Sequence, residues 1–461
     1  MFHELDSRKE LSATVVPWLP TAPSDWPLTR LKGLLREEQE LVGDAWTETE
    51  LLALTKRGVV ARDINNLEGK IPASFAGYQV LEPSDLVFCL FDIDETPRTV
   101  GMATSRGMIT AAYTRFRVLN GAVPRYLELL FASLDDRKLL RPLYTRLRKS
   151  IRAADLLATS IPLPPIAEQE AIVTYLAHAH ARINKAIAAK RRLIALLEEQ
   201  KRVVVNRIVT MGLDRNAPLV DSGVPWIGRV PAHWELLAAR YLFQPVTRPV
   251  TDSALPQLSL TRSSGLILSG AEGSGTRAAE GGRNLQQCEW GDFVLNKYRA
   301  HMGLFRWCRK PGLVTRNYTV LQATPRVDRD YFEYLFLDPM FADGLRINAR
   351  GVGEGMSPLY TSTLMRMKMP VPPRSEQRAV VEMINAETAR IHRQVELAVR
   401  ETKLLVEFRD RLTSDVVTGQ LDARAIAATL PALDFQEVVD TAVDAGDSVE
   451  DDADADGLED E

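Results

Sequence analysis

Ile161-Pro162-Leu163-Pro164-Pro165-Ile166-Ala167-Glu168-Gln169-Glu170-Ala171-Ile172-Val173 returns 208 residues later as Met369-Pro370-Val371-Pro372-Pro373-Arg374-Ser375-Glu376-Gln377-Arg378-Ala379-Val380-Val381. The match runs on without a gap: Arg182-Ile183 with Arg390-Ile391, Leu196-Leu197 with Leu404-Leu405, Glu199 with Glu407, Val209-Thr210 with Val417-Thr418. A repeat of this length decides the architecture before any local reading does. Proline pairs cannot sit inside a helix, so each copy predicts a helix that begins just after them. Glu168 and Glu170 then fall in the first turn of the first helix, where negative charge suits the helix dipole.

Ile172, Leu176, Ile183, Ile187, Ile194, Leu197, Val204 and Ile208 follow at spacings of three, four and seven. Their equivalents are Val380, Ile384, Ile391, Val395, Thr402, Leu405, Leu412 and Val416. Each copy is thus a single apolar stripe sustained over several heptads. At ~1.5 Å per residue a helix of about 45 residues reaches roughly 65 Å. A helix that long with one stripe needs a partner, and its own repeat is the obvious one.

The offset persists upstream. Trp18-Leu-Pro-Thr-Ala-Pro23-Ser-Asp-Trp26-Pro-Leu28 aligns with Trp226-Ile-Gly-Arg-Val-Pro231-Ala-His-Trp234-Glu-Leu236. The repeat unit is therefore a globular segment followed by a long helix, twice. Residues 1 to about 15 read as a loose arm, and Leu28 to Gln39 as a short helix. Leu86 to Phe91 and Thr110 to Val118 read as strands, and Arg125 to Ser133 and Asp136 to Arg148 as helices. In the second copy Leu258 to Leu268 suggests a hairpin, and Asp292 to Lys297 a strand that parallels Asp85-Leu-Val-Phe. Thr315-Arg-Asn-Tyr318-Thr319 echoes Thr110-Ala-Ala-Tyr113-Thr114. This is α+β texture: two repeated mixed α/β domains and two long coiled-coil helices, paired antiparallel about a pseudo-two-fold axis. The boundaries are 1–160 for the first domain, 161–214 for the first helix, 215–368 for the second domain and 369–422 for the second helix. An acidic tail, 423–461, has too little apolar content to fold alone.

The chain has 461 residues and a formal net charge of -4. Thirteen of its 61 acidic residues lie between Asp434 and Glu461, where there is no Lys or Arg. The remainder carries about nine more basic than acidic residues, which permits a polyanionic partner. Cys89, Cys288 and Cys308 are odd in number and lack zinc spacing, in keeping with a reducing cytoplasm. The N-terminus has no apolar run for a signal peptide, and no stretch approaches the ~20 apolar residues of a membrane span.

No catalytic set and no metal set emerges. His178 and His180, two apart on a helix, point to different faces. The Gly-rich stretch from Ser269 to Arg283 lacks the lysine-ending phosphate-loop pattern. It reads equally as a plain surface loop or as a DNA-touching one, with Arg277 and Arg283 as the contacts. Asp92, Asp94 and Glu95 lack the spaced Glu-x-Lys partner of a nuclease and read as a solvated turn. Binding chemistry is better represented. Lys297, Arg299, His301, Arg306, Arg309, Lys310 and Arg316 cluster with Tyr298, Phe305 and Trp307. Cations suit phosphates and guanine edges, and aromatics stiffen or stack; the alternative is a solvated basic face. The first unit offers Arg98, Arg106, Arg115 and Arg117.

The Pro-x-Pro-Pro-x-x-Glu-Gln lead-in to each helix, the Leu-Leu-x-Glu stretch and the Leu-Asp exit together resemble the specificity subunit of a type I restriction–modification system. Trp226-Ile-Gly-x-Val-Pro-x-x-His-Trp-Glu235 and Gly291-Asp-Phe-Val-Leu-Asn-Lys297 strengthen that resemblance, which spans about residues 15 to 422. It implies two target-recognition domains, each reading half of a bipartite double-stranded DNA sequence. It also implies helices that dock two methyltransferase subunits, in a complex joined by motor-nuclease subunits. S-adenosylmethionine, ATP and Mg would then be held by those partners and no cofactor by this non-catalytic, cytoplasmic chain. Lys297, Arg299, Arg306, Arg316, Arg277, Arg283, Arg106 and Arg115 are the expected DNA contacts. Glu168, Gln169, Glu376 and Gln377 are the expected partner-docking residues. The first unit departs from the pattern in Trp18-Leu-Pro-Thr and in lacking a counterpart of Asn296-Lys297. A coiled-coil adaptor that binds protein rather than DNA is the competing reading.

If the two stripes set the distance between half-sites, their length is a ruler. Four residues inserted near Glu198 keep the stripe roughly in phase and add ~6 Å, nearly two base-pair steps. The unspecified spacer of the target should lengthen by one or two bases while both specified blocks persist. Mapping methylated bases for the insertion variant checks this; an active variant with an unchanged spacer refutes it.

Overall fold

The computed structural model describes residues 5–431 apart from 9, 17–18, 57, 65–73, 94–95, 97, 145–148, 262–263, 271–283, 300–301 and 350–357. Trp18, Asp94, Glu95, Arg277, Arg283, His301 and the tail from 432 on therefore lie outside the described residues. Residues up to Lys190 form one compact unit with those from Arg400 on, and Arg191–Val399 form a second. The first long helix is Ile166–Met211 and the second Arg374–Val417. Each unit therefore holds the start of one long helix and the end of the other.

In unit 1 a four-stranded antiparallel sheet runs in the order Val100–Met102, Leu86–Phe88, Thr114–Val118, Leu35–Glu38. Unit 2 repeats the sheet with Phe305–Trp307, Phe293–Asn296, Tyr318–Ala323 and Phe243–Val246. The two-stranded accessories repeat as well. Gln79–Leu81 pairs with Gly107–Ile109 in unit 1, and Leu285–Cys288 with Gly312–Thr315 in unit 2. The sheet of unit 1 packs on helix Pro124–Asp136 through Leu86, Phe88, Phe116, Leu127 and Phe131. The sheet of unit 2 packs on helix Arg329–Leu337 through Phe243, Phe293, Phe305, Phe332 and Phe336. The expected hairpin at 258–268 is present as Leu258–Thr261 against Gly265–Leu268.

The apolar stripes are buried within each unit. Ile172, Leu176, Ile183 and Ile187 share the unit 1 core with Leu412 and Val416. Ile208 shares the unit 2 core with Val380 and Ile384. Within unit 1, His180 meets the Thr413 hydroxyl (2.7 Å), Arg409 donates to Asn184 (3.3 Å), and Lys190 pairs with Glu401 (2.6 Å). Partner numbers fall as residue numbers rise, so these helix segments run antiparallel. Burial, with Arg409 and Arg125 nearby, pushes the His180 imidazole down to about 3, and it is neutral at physiological pH.

Several local expectations are corrected. Leu28–Gln39 is not a helix: Leu28–Arg30 pairs with Ser160–Pro162, a 3-10 turn follows at Leu31–Gly33, and Leu35–Glu38 joins the main sheet. Sheet hydrogen bonds override a helix-compatible composition. The N-terminal arm is tied down, Asp6–Ser7 on Leu421–Asp422 and Leu11–Ala13 on Thr21–Pro23. The helix expected from Asp136 does not form; Lys138 takes a left-handed conformation (φ 51°) and a 3-10 turn follows at Arg141–Leu143. Thr110–Val118 is a turn and then a strand from Thr114. Beyond Asp422, Arg424–Ala427 is helical and Ala423 and Ala427 are buried, so the start of the tail is part of unit 1.

Gly212 and Gly419 close the two long helices with φ of +75° and +72°, the left-handed cap that favours glycine. A Cβ at Gly419 would collide with Pro23 and come within 2.8 Å of the Trp26 ring. Gly419→Ala should destabilise unit 1 by about 1–3 kcal/mol, seen as an earlier melting transition. Melting curves that superimpose on those of the unchanged protein would show that this close approach is slack.

Candidate nucleic-acid interface

The Glu-Gln pair at each helix start bonds inside its own unit. Gln169 is fully buried; its Oε1 accepts from Val123 N (2.7 Å), and its Nε2 donates to Pro164 O (2.8 Å) and Gly121 O (3.4 Å). Gln377 repeats this with Asp328 N (2.7 Å), Pro372 O (2.9 Å) and Arg326 O (2.9 Å). Glu168 accepts the Trp26 indole N–H (3.3 Å) and Arg8, and Glu376 accepts the Trp234 indole N–H (3.2 Å) and meets His233 (2.8 Å). The polar groups of these four residues, expected at a partner-docking surface, are thus bonded within their own unit. The long helices do leave apolar side chains exposed. Leu193, Leu196 and Val203 on the first helix and Leu397, Leu404 and Phe408 on the second are 42–60% exposed. Stripe reading missed them because it selects the residues that face the core.

The basic residues fall into two classes. In unit 1 each one is matched to an acid. Arg98 meets Asp136 (2.8 Å), Arg106 meets Glu82 (3.4 Å) and Arg117 meets Glu38 (3.0 Å). Arg115 has no exposed side-chain surface and donates to buried Asp85 (2.7 Å), which removes it from the expected DNA contacts. It serves the core instead, because a buried carboxylate needs a charged partner. In unit 2 the equivalent acid is Asp292, and Arg248, in the segment just after strand Phe243–Val246, neutralises it (2.5 Å). Arg306, at 7% exposure on its strand, is likewise corrected to an interior residue. Arg309 lies over Trp307 (4.3 Å) and pairs with Glu333 (2.6 Å).

What unit 2 presents is the loop Asn296–Arg299 beside the turn Thr315–Tyr318. The Asn296 side chain accepts from the Tyr298 (3.0 Å) and Arg299 (3.3 Å) amides and holds the loop. Lys297 Nζ donates to the Arg316 carbonyl (3.2 Å), which joins loop to turn. Tyr298, Arg299 and Arg316 are exposed. The structure thus joins Lys297 to Arg316, and Tyr298 and Arg299 follow Lys297 in the same loop. Among the described residues no group of three or more His, Cys, Asp or Glu could hold a metal, and no helix is long and apolar enough to cross a membrane.

Exposed and buried cations should respond oppositely to removal. Lys297→Ala should lower duplex affinity and reduce its salt slope by about one, as loss of one phosphate contact does. Arg115→Ala should cost stability on the order of 3–5 kcal/mol, because it strands a buried charge. Titrations at several salt concentrations and denaturant melts separate the two; a Lys297 variant with unchanged affinity and slope removes Lys297 from the interface.

No protein-family model matches the sequence. Solved structures do match. A chain from a structure of complex assembly and conformational transition of the type I R-M system is 14% identical, with a TM-score of 0.56, covering 87% of this chain and 99% of that one. The HsdS subunit from Thermoanaerobacter tengcongensis matches at 14% identity and TM-score 0.43, covering 87% and 98%. The type I restriction–modification S subunit from M. genitalium matches at 11% and 0.34, covering 87% and 99%. The chain has the fold of the type I R-M chain, two α+β units with two long helices, along almost its whole described length.

Proposed function

We propose that this chain is the DNA-recognition subunit of a type I restriction–modification complex. Each unit reads one block of a bipartite double-stranded target, and the long helices dock methyltransferase subunits, with motor-nuclease subunits joining the assembly. The observation that carries this reading is the repeat itself. One sheet topology and one helix latch occur twice, in the fold of a type I R-M chain, while the exposed loops differ between the copies. A duplicated scaffold with unlike loops suits a reader of two unlike half-sites. The chain supplies no catalysis on this reading, and S-adenosylmethionine, ATP and Mg belong to the partners in the cytoplasm.

The exposed leucines and phenylalanine of the helices favour protein docking, which the adaptor reading also requires. Duplex binding separates the two. A DNA reader loses affinity steeply as salt rises, because phosphate contacts release counterions. Deleting the gene from the cells that encode it should abolish methylation at one bipartite motif and leave other methylated motifs intact. Retention of every motif after deletion would overturn the DNA-recognition reading.

A further inference from the structure

One buried side chain recurs in both units with the same task. Gln79, 2% exposed, donates from Nε2 to Tyr113 O (2.7 Å) and Thr110 O (3.3 Å). Gln286, 3% exposed, donates from Nε2 to Tyr318 O (2.8 Å) and Thr315 O (3.4 Å). In each case the amide bonds both ends of a four-residue turn that links an accessory strand to the central sheet. A buried amide spent on two carbonyls of one turn fixes that turn against the sheet, and the two residues at its tip face outward. The tip is Arg316-Asn317 in unit 2 and Ala111-Ala112 in unit 1, all exposed. The scaffold of the turn is therefore repeated and its chemistry is not.

The neighbouring loop changes in the same sense. Where unit 2 has Lys297, Tyr298 and Arg299, the register of the matching strands places Leu90, Phe91 and Asp92 in unit 1. Phe91 (39%) and Tyr298 (42%) are similarly exposed. One unit thus shows a cationic, amide-bearing tip and the other an apolar one, on equivalent frames. Arginine matches the O6 and N7 edge of guanine, and asparagine the N6 and N7 edge of adenine. Alanine has only a methyl group to offer, which suits a thymine methyl.

We propose that the Thr315–Tyr318 turn is the base-reading tip of unit 2, with Arg316 and Asn317 as its specificity-determining side chains and Gln286 as the residue that positions them. The inference rests on the DNA-recognition reading above. It distinguishes Arg316, whose Nε donates to the Leu285 carbonyl (3.5 Å) and whose planar guanidinium suits a guanine edge, from Lys297, whose ammonium donates to the turn backbone (3.2 Å) and suits a phosphate.

The test introduces Arg316→Ala and Asn317→Ala separately into the gene, in the cells that encode the full chain, and maps methylated bases. Each variant should make one or two positions degenerate within a single block, the preference there falling roughly 5- to 150-fold as for a lost bidentate contact. The other block and the spacer should not change. Gln286→Leu should relax the same positions as the tip variants. A lowered melting temperature with an unaltered motif would make Gln286 merely structural and remove it from the proposal. If both tip variants keep the original motif, or lose methylation evenly at all bases, the turn is not a base reader. A motif that survives deletion of the whole gene would instead overturn the functional reading, and the two failures are distinguishable.

Discussion

One tryptophan in each unit ties a helix start to a helix end. The Trp26 indole donates to Glu168 at the start of the first long helix, and its ring packs on Gly419 at the end of the second. Trp234 does the same with Glu376 and Gly212. A hydrogen bond to a carboxylate is stronger than a neutral one, and here it also places negative charge at a helix N-terminus. Tyrosine completes the arrangement: Tyr126 donates to Val417 O (3.0 Å) and Tyr331 to Val209 O (3.1 Å), satisfying carbonyls that a helix end leaves without partners. The globular part of each unit is thereby fixed to two helices rather than one. Everything the sheets present is positioned through that junction.

Where the repeat is kept by function of the group rather than by its position, the physical demand is plain. Asp85 and Asp292 occupy equivalent sites and accept equivalent amides, from Glu82 (2.9 Å) and Glu289 (2.8 Å). Both need a cation, yet Arg115 reaches one from strand Thr114–Val118 and Arg248 the other from the segment that follows strand Phe243–Val246. The core constrains the charge balance and leaves its source free. Exposed tips are not bound by even that rule, which is why Arg316-Asn317 and Ala111-Ala112 can stand on equivalent turns.

The long helices, their proline starts and their buried stripe were legible because period and repeat are long-range signals that local context does not erase. The central strands at Leu86 and Phe293 were legible too, as apolar runs. Leu28–Gln39 was misread because its leucines and charges fit a helix; only pairing with Ser160–Pro162 and Thr114–Val118 makes it extended, and those partners lie far along the chain. Arg115 was misread for a related reason. An arginine that neutralises a buried aspartate and one that awaits a phosphate look alike in sequence, and burial alone separates them. The Glu-Gln pairs were prominent because they repeat, and each takes part in a structural latch within its own unit.

If the chain recognises DNA as proposed, the same division would govern how it acquires new targets. The latch residues are internal, and so is the glutamine that holds each turn, whereas the tip residues are exposed, Arg316 donating through Nε to the Leu285 carbonyl (3.5 Å). Substitutions at a tip leave the buried amides and carbonyls paired, so their effect on stability stays small. Substitutions at Gln169, Gln377 or the Asp85 site strand buried polar groups and cost far more. Stability and the proposed recognition would thus be carried by different residues of the same strands and turns. On the proposed reading, a half-site preference would change through two adjacent exposed residues while the latch, the sheet and the helix pairing of that unit remain as they are.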